Sequence, residues 1–238
     1  MKLVSLNILM GEVHEPFMEF VKSSRETTDI FCFQEVFDAP KASILKELKA
    51  ALSEFDAYFA PSMRWKGRDC GLGMFVRKEI SIKSQGDFFV FGKFVKIISN
   101  DFSQQGKKLQ YIRFTKDGQQ FTIANFHGWW FDGPKVDNPG TLEQMKLVKE
   151  FLDKQLGEKI ICGDFNLNPD TQSMELLEDN MINLIKKFRI ASTRPDSFPK
   201  HFSRFADYIL VSRGVKIKNF EVPNLEISDH LPMILEFD

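Results

Sequence analysis

The chain has 238 residues, is 43% hydrophobic, and carries 32 Lys and Arg against 33 Asp and Glu, a formal net charge of -1. This length buries a sizeable core within one domain spanning residues 1–238, and the balance of charge excludes the global basic field that draws proteins onto nucleic acid non-specifically. No run approaches the roughly 18 uninterrupted apolar residues of a bilayer span, so no transmembrane segment is expected.

Met1-Lys2-Leu3-Val4 opens like a signal sequence, but Ser5, Asn7 and Glu12 interrupt it and no small-residue cleavage site follows. Leu3 to Ile8 is therefore read as a first strand, Glu15 to Glu26 as a short helix with Phe17, Phe20 and Val21 on one side, and Asp29 to Gln34 as a second strand. The clearest helix follows: Ile44, Leu45, Leu48, Ala51, Leu52 and Phe55 recur at spacings of three and four, behind Asp38 and Pro40. From Tyr58 to Phe126 the pattern becomes strand-like, with runs at Gly71 to Val76, Phe88 to Phe91, Phe94 to Ile98, Leu109 to Phe114 and Phe121 to Phe126, which predicts a meander. Lys116-Asp117-Gly118 is the signal of a tight hairpin.

A second helix is expected from about Leu142 to Leu156, opened by a capping box of Thr141 with Gln144 and closed by Gly157. A strand at Lys159 to Cys162, a short helix near Ser173 to Glu178, and strands around Asp207 to Val211, Val215 to Val222 and Leu231 to Phe237 complete the chain. This order predicts an α+β fold: two stacked sheets with helices outside. The three cysteines, Cys32, Cys70 and Cys162, are odd in number and lack metal-type spacing, which predicts free thiols in a reducing, cytoplasmic compartment.

Six polar stations share one context, at or next to the end of an apolar run: Asn7, Glu35, His127, Asp164 with Asn166, Asp207, and Asp229 with His230. Strand ends at one edge of a sandwich converge, so these distant residues can build one pocket. A carboxylate at the end of a buried strand is costly unless it binds a cation or does chemistry. Singly, each station also fits a structural role in a turn or a packed core.

In their order and spacing, Asn7, Phe33-Gln34-Glu35-Val36, Phe126-His127, Gly163-Asp164-Phe165-Asn166, Asp207 and Ser228-Asp229-His230 resemble the endonuclease/exonuclease/phosphatase superfamily of metal-dependent phosphoesterases, which includes deoxyribonuclease I. The resemblance implies a four-layered α/β sandwich of two stacked mixed sheets flanked by helices. It also implies a Mg²⁺ site, with Mn²⁺ as the alternative, formed by Glu35, Asn7 and Asp229, a hard-oxygen set that suits such a cation. By the same resemblance Asp164 orients or deprotonates the attacking water, and Asn166 holds that water or the scissile phosphate. His230 contacts the phosphate, Asp207 fixes its tautomer, and His127, the mark of the histidine-bearing branch, protonates the leaving oxygen or binds a phosphate oxygen. Where some relatives carry an aspartate two residues after the asparagine, this chain has Leu9.

Around these stations lie two basic clusters, Arg64-Trp65-Lys66 with Arg68, and Arg194, Lys200, His201 and Arg204, together with the aromatic run Trp129-Trp130-Phe131. Arg68 is the expected phosphate contact and Trp130 the expected stacking or rim residue; His14 is read as a surface or packing histidine. The reading is a Mg²⁺-dependent phosphoester hydrolase acting first on nucleic acid. The alternatives are a phosphomonoesterase or phospholipase C-type enzyme acting on inositol, sugar or lipid phosphates, and an inactive binding member of the superfamily. No obligate protein partner is expected.

Overall fold

The computed structural model describes residues 1–238 except 99–101, 103, 132 and 200–202. Strand β1 (Lys2–Asn7) passes through a 3-10 turn, Leu9–Gly11, into helix α1 (His14–Ser24), and β2 (Ile30–Asp38) is followed by α2 (Ile44–Ala51). Six strands come next: β3 (Phe55–Trp65), β4 (Arg68–Arg77), β5 (Ile82–Phe91), β6 (Val95–Ile97), β7 (Lys107–Lys116) and β8 (Gln119–His127). Then follow α3 (Pro139–Asp153), β9 (Glu158–Asp164), α4 (Gln172–Glu178), β10 (Met181–Asn183), α5 (Leu184–Lys187), β11 (Asp207–Ser212), β12 (Ile217–Glu221) and β13 (Met233–Phe237).

The strands form two mixed sheets, one of seven in the order β12-β13-β1-β2-β4-β3-β6 and one of six in the order β10-β11-β9-β8-β7-β5. Alternation along the first strands separates two cores, as the two-residue strand period requires. One cluster joins Leu3, Ile30, Cys32 and Met74 of the larger sheet to Leu109, Ile160 and Cys162 of the smaller. The intervening residues Val4, Leu6, Phe31 and Phe33 point the other way, into a second cluster with Phe17 and Val21 of α1 and Leu45 and Leu48 of α2. On the far side Met145, Val148 and Leu152 of α3 cover the smaller sheet, and Phe151 packs on Phe88 at 5.1 Å and on Tyr111 at 4.9 Å. The layers are thus helices, sheet, sheet, helices.

The expected meander is corrected: residues 55–127 are divided between the sheets, because β3 and β4 pair in the larger sheet, β5, β7 and β8 in the smaller, and the short β6 returns to lie parallel to β3. Local alternation carries no information about which sheet a strand joins. The Asp117-Gly118 hairpin forms as the turn residues require, Lys116 facing Gln119 across it with φ +50° at Asp117 and +79° at Gly118. Helix α3 begins earlier than expected: Asn138 is its cap, accepting from the N–H groups of Gly140 and Thr141, Pro139 holds the first helical position, and Thr141 is the reciprocal member of the capping box. Gln144 instead accepts a hydrogen bond from the Trp129 backbone N–H at 3.1 Å.

A polar seam ties the two sheets together next to the functional edge. Gln34 Nε2 donates to Asn125 Oδ1 at 2.7 Å, and Asn125 Nδ2 donates to the carbonyls of Phe33 at 3.1 Å and Gly73 at 3.3 Å. Among the described residues no helix is long and apolar enough to cross a membrane.

Candidate active site

The topology gathers the polar stations at one edge. Strands β8 and β9 run parallel and end together, and the antiparallel β11 begins beside them, so His127, Asp164 and Asp207 occupy one row across the smaller sheet. In the larger sheet the parallel ladder of β1 and β2 also ends at this edge, with Asn7 opposite Gln34, while β2 runs on to Asp38 against β4. Immediately after Gln34 the register of β2 against β4 slips between Phe33 and Val36, and Glu35 takes φ +59°. Such a bulge re-aims a side chain without ending the strand. Ser228 Oγ donates to the Asn7 carbonyl at 2.7 Å and docks the segment bearing Asp229 and His230 onto the same edge.

The Gly163-to-Asn166 turn shows how a sequence holds two polar groups in place. Gly163 has φ +137°, and a Cβ there would stand 1.9 Å from the Phe126 carbonyl oxygen, so no side chain fits. Phe165 anchors the turn, with ring centroids 4.8 Å from Phe126 and 5.4 Å from Tyr208. The flanking Asp164 and Asn166 are buried, and Asn166 donates its backbone N–H to Asp164 Oδ1 at 2.9 Å.

Hydrogen bonds then link the stations. Asn7 Nδ2 donates to Glu35 Oε1 at 3.2 Å and to Asp164 Oδ2 at 3.0 Å, bridging the sheets, while its Oδ1 accepts from the Leu9 N–H at 3.0 Å. His230 Nδ1 lies 2.7 Å from Asp207 Oδ2, and its Nε2 lies 3.7 Å from Asp164 Oδ2. Lys107 Nζ lies 2.9 Å from His127 Nε2, and Lys135 Nζ donates to Asn166 Oδ1. Arg194 pairs with Asp229 Oδ2 at 2.7 Å.

These contacts set the protonation states. Burial pushes the Asp164 pKa up, but His230, His127, Lys135 and Arg194 outweigh it and hold the carboxyl well below its usual range. Burial raises Glu35, with Lys107 and the Asn7 hydrogen bond opposing. Lys107 is pushed down to about 8 by burial against the attraction of Glu35 and Asp164, and Lys135 is also lowered by burial. His127 falls well below its ordinary value, through burial first and the neighbouring Lys107 second, so its imidazole is neutral and accepts from Lys107 at Nε2.

The groups surround a hollow of about 270 Å³ whose lining includes Glu35, Lys107, His127, Trp130, Asp164, Asn166, Arg194, Asp229 and His230. Asn7 lies behind this lining and Asp207 behind His230. Leu9 lies on the lining. Arg68 is not brought to it: its guanidinium stacks over Phe37, 4.8 Å from the ring centroid, because the start of β4 lies in the exposed β3–β4 hairpin. Nor do Arg64 and Lys66 reach it; Arg64 pairs with Asp69, and Lys66 lies over Trp65. Arg194, from the second basic cluster, holds the position in the hollow expected of Arg68, while Lys200 and His201 lie outside the described residues. Trp129 packs internally, stacked on Phe91 at 4.5 Å, and leaves the rim to Trp130, which is 39% exposed. His14 pairs with Glu47 on the surface. Two lysines that touch site residues, Lys107 and Lys135, are not among the stations expected from the sequence. Lys107 shares the strand face of Leu109 two residues on, so extending that strand by one period would have turned it inward.

The donor set suits a hard divalent cation. Glu35 lies on the hollow, among the described residues accepts a hydrogen bond from Asn7 alone, and its side chain keeps 25% exposure. Asp164, Asp207 and His230 form a group whose ligand atoms lie within 4.8 Å of one another, although Asp207 is already committed to His230 Nδ1. Asn7 departs from the expected ligand role: it turns its amide nitrogen toward the two carboxylates, since the Leu9 N–H claims its oxygen.

Two stacked mixed sheets that present acids, imidazoles and ammoniums around a hollow at one edge define a phosphoester hydrolase. The sequence profile of the endonuclease/exonuclease/phosphatase family matches residues 4–230, and the chain belongs to that family. No curated protein matches it by sequence. Among solved structures, it is similar to an endonuclease/exonuclease/phosphatase from Bacteroides vulgatus, at 18% identity and a TM-score of 0.78 over 100% of this chain and 98% of that one. A mannosyl-6-phosphatase from Bacteroides thetaiotaomicron aligns at 19% identity and TM-score 0.75, covering 100% and 99%. The human Nocturnin catalytic domain, described with bound sulfate, aligns at 18% and 0.71, covering 100% and 93%.

Proposed function

We propose that this single-domain chain hydrolyses a phosphoester with the help of a divalent cation, Mg²⁺ or Mn²⁺, which Glu35 and Asp229 of the same hollow would hold, with Asn7 fixing the Glu35 carboxylate. Once bound, that cation would neutralise phosphoryl charge. Asp164, kept ionised, and Asn166 align a water in line with the ester bond. The water oxygen forms a bond to phosphorus as the bond from phosphorus to the leaving oxygen breaks, and the water proton is finally balanced on the leaving alcohol. Because an effective general base has a pKa near the working pH, the depressed Asp164 carboxyl orients the water more than it deprotonates it. His230, its Nδ1 held by Asp207, faces the phosphoryl oxygens with Nε2. His127 supports Lys107 rather than protonating the leaving oxygen, since its Nε2 is engaged.

The observation that carries this reading is the row of His127, Asp164 and Asp207 across adjacent strands with His230 set against both acids. A hollow of about 270 Å³ accepts a phosphate and the atoms next to it, and nucleic acid remains one substrate among several. The three cysteines are free and buried, in keeping with a cytoplasmic setting. The test is a panel of DNA, RNA, inositol phosphates, sphingomyelin and simple phosphate esters, run with Mg²⁺ and again with chelator. Turnover of at least one ester that chelator abolishes is expected; turnover indifferent to chelator, or none on any ester, rejects the reading.

A further inference from the structure

The charges around the hollow do not pair off evenly. Arg194 is matched by Asp229 at 2.7 Å, and His230 by Asp207 at 2.7 Å. Two carboxylates, Glu35 and Asp164, the latter no closer than 3.7 Å to His230 Nε2, and two ammonium groups, Lys107 and Lys135, remain without a close ion pair. The carboxylates are bridged by the neutral Asn7 amide. Each lysine is likewise held by a neutral acceptor, Lys107 by the His127 imidazole and Lys135 by the Asn166 side chain, and among the described residues neither enters an ion pair. Lys107 is only 3% exposed. A buried ammonium held by a neutral acceptor and by no direct ion pair is costly and is retained where a ligand supplies the contacting charge.

On the hydrolase reading above, a divalent cation held by Glu35 and Asp229 adds two positive charges that the carboxylates at the hollow do not offset, so the two ammonium groups are left for an anionic ligand. Near neutral pH a phosphate monoester carries about two negative charges, whereas a diester carries one. We propose that Lys107 and Lys135 form a two-ammonium clamp for a phosphate dianion, which makes the preferred substrate of this hollow a terminal phosphomonoester and not a phosphodiester. The lysines approach from different elements, Lys107 from the start of β7 and Lys135 from the segment before α3. Lys135 reaches the hollow through Asn166 at its edge and itself borders a second, more open depression with Trp130, Phe131, Phe205 and Arg194, into which the alcohol portion of such an ester would extend.

The test uses the full chain with Mg²⁺ near neutral pH. Calorimetric titration should show inorganic phosphate binding at least about tenfold more tightly than dimethyl phosphate. Lys107→Met and Lys135→Met, which keep the apolar stem, should each weaken phosphate about tenfold or more and leave dimethyl phosphate nearly unchanged. In parallel, kcat/KM for 4-nitrophenyl phosphate should exceed that for bis(4-nitrophenyl) phosphate by about 100-fold, and the ratio should fall in both variants. Equal binding of the two anions, a preference for the diester, or a ratio untouched in both variants overturns the clamp. Failure of the hydrolase reading looks different: no ester is turned over with Mg²⁺, although phosphate binding still depends on the lysines. Because Lys135 is only partly buried, its variant supplies a second answer if Lys107→Met does not fold.

Discussion

Asp164 and Asp207 are register partners on adjacent antiparallel strands, and both reach one imidazole: His230 Nε2 lies 3.7 Å from Asp164 Oδ2, and Nδ1 lies 2.7 Å from Asp207 Oδ2. Burial and Arg194 push the His230 pKa down, but the two carboxylates outweigh them and raise it. The two carboxylates thus favour the protonated ring, with Nδ1–H fixed by Asp207 and Nε2 turned toward the hollow.

Asp164→Ala and His230→Ala should each lower kcat by about 10²- to 10⁴-fold, the range for loss of a positioned acid–base group or of an electrostatic contact to the transition state. Their circular dichroism spectra should match the parent. Parent-like rates in both variants would refute the assignment.

Glu35→Ala removes the carboxylate re-aimed by the β2 bulge. It should raise the Mg²⁺ concentration for half-maximal activity by about tenfold or more. A Mg²⁺ titration curve that superimposes on the parent's would show that Glu35 does not hold the cation.

Asn125→Leu strips the seam between the sheets, leaving Gln34 Nε2 short of its nearest acceptor and the Phe33 and Gly73 carbonyls without this donor. With several buried groups losing a partner at once, the expected loss is about 2–4 kcal/mol, read from urea unfolding. An unchanged urea midpoint would mean that water or repacking replaces the seam.

In the β3–β4 hairpin Arg64 donates to both oxygens of Asp69, at 2.6 and 2.7 Å. The Arg64 hydrogen bonds, opposed in part by burial, hold the Asp69 pKa below its ordinary value. A carboxyl depressed in the folded state stabilises it above the unfolded pKa of about 3.9, and that contribution disappears as pH falls through the lower folded value. Arg64→Ala should therefore remove a small part of the stability at neutral pH and none in strong acid. A difference from the parent that persists at the acid end would contradict this pairing.

Much of the fold was legible because strand and helix periods are local. The α2 stripe of Ile44, Leu45, Leu48 and Ala51 faces inward as its spacing predicts, and the Asp117-Gly118 turn sits where its dihedral needs place it. The site was legible to the extent that its members stand beside apolar strand runs: Glu35, His127, Asp164, Asn166, Asp229 and His230 all line one hollow, with Asp207 behind them, although Glu35 interrupts β2 at a bulge and does not end it. Arg68 stacks away from the hollow and Arg194 turns into it, because a basic residue in a loop or at the first position of a strand has no period to reveal its direction.

The sequence by itself determined which residues alternate, where turns fall and which acids and imidazoles stand at strand ends, since each of these follows from a few consecutive side chains. Only the tertiary structure decided that residues 55–127 divide between two sheets, that Asn7 presents nitrogen and not oxygen to the carboxylates, and that Lys107 and Lys135 turn inward. Those outcomes depend on the pairing of strands far apart in the chain and on charges that meet only after the sheets have stacked. A lysine at a strand start reads the same whether water or a buried imidazole awaits it.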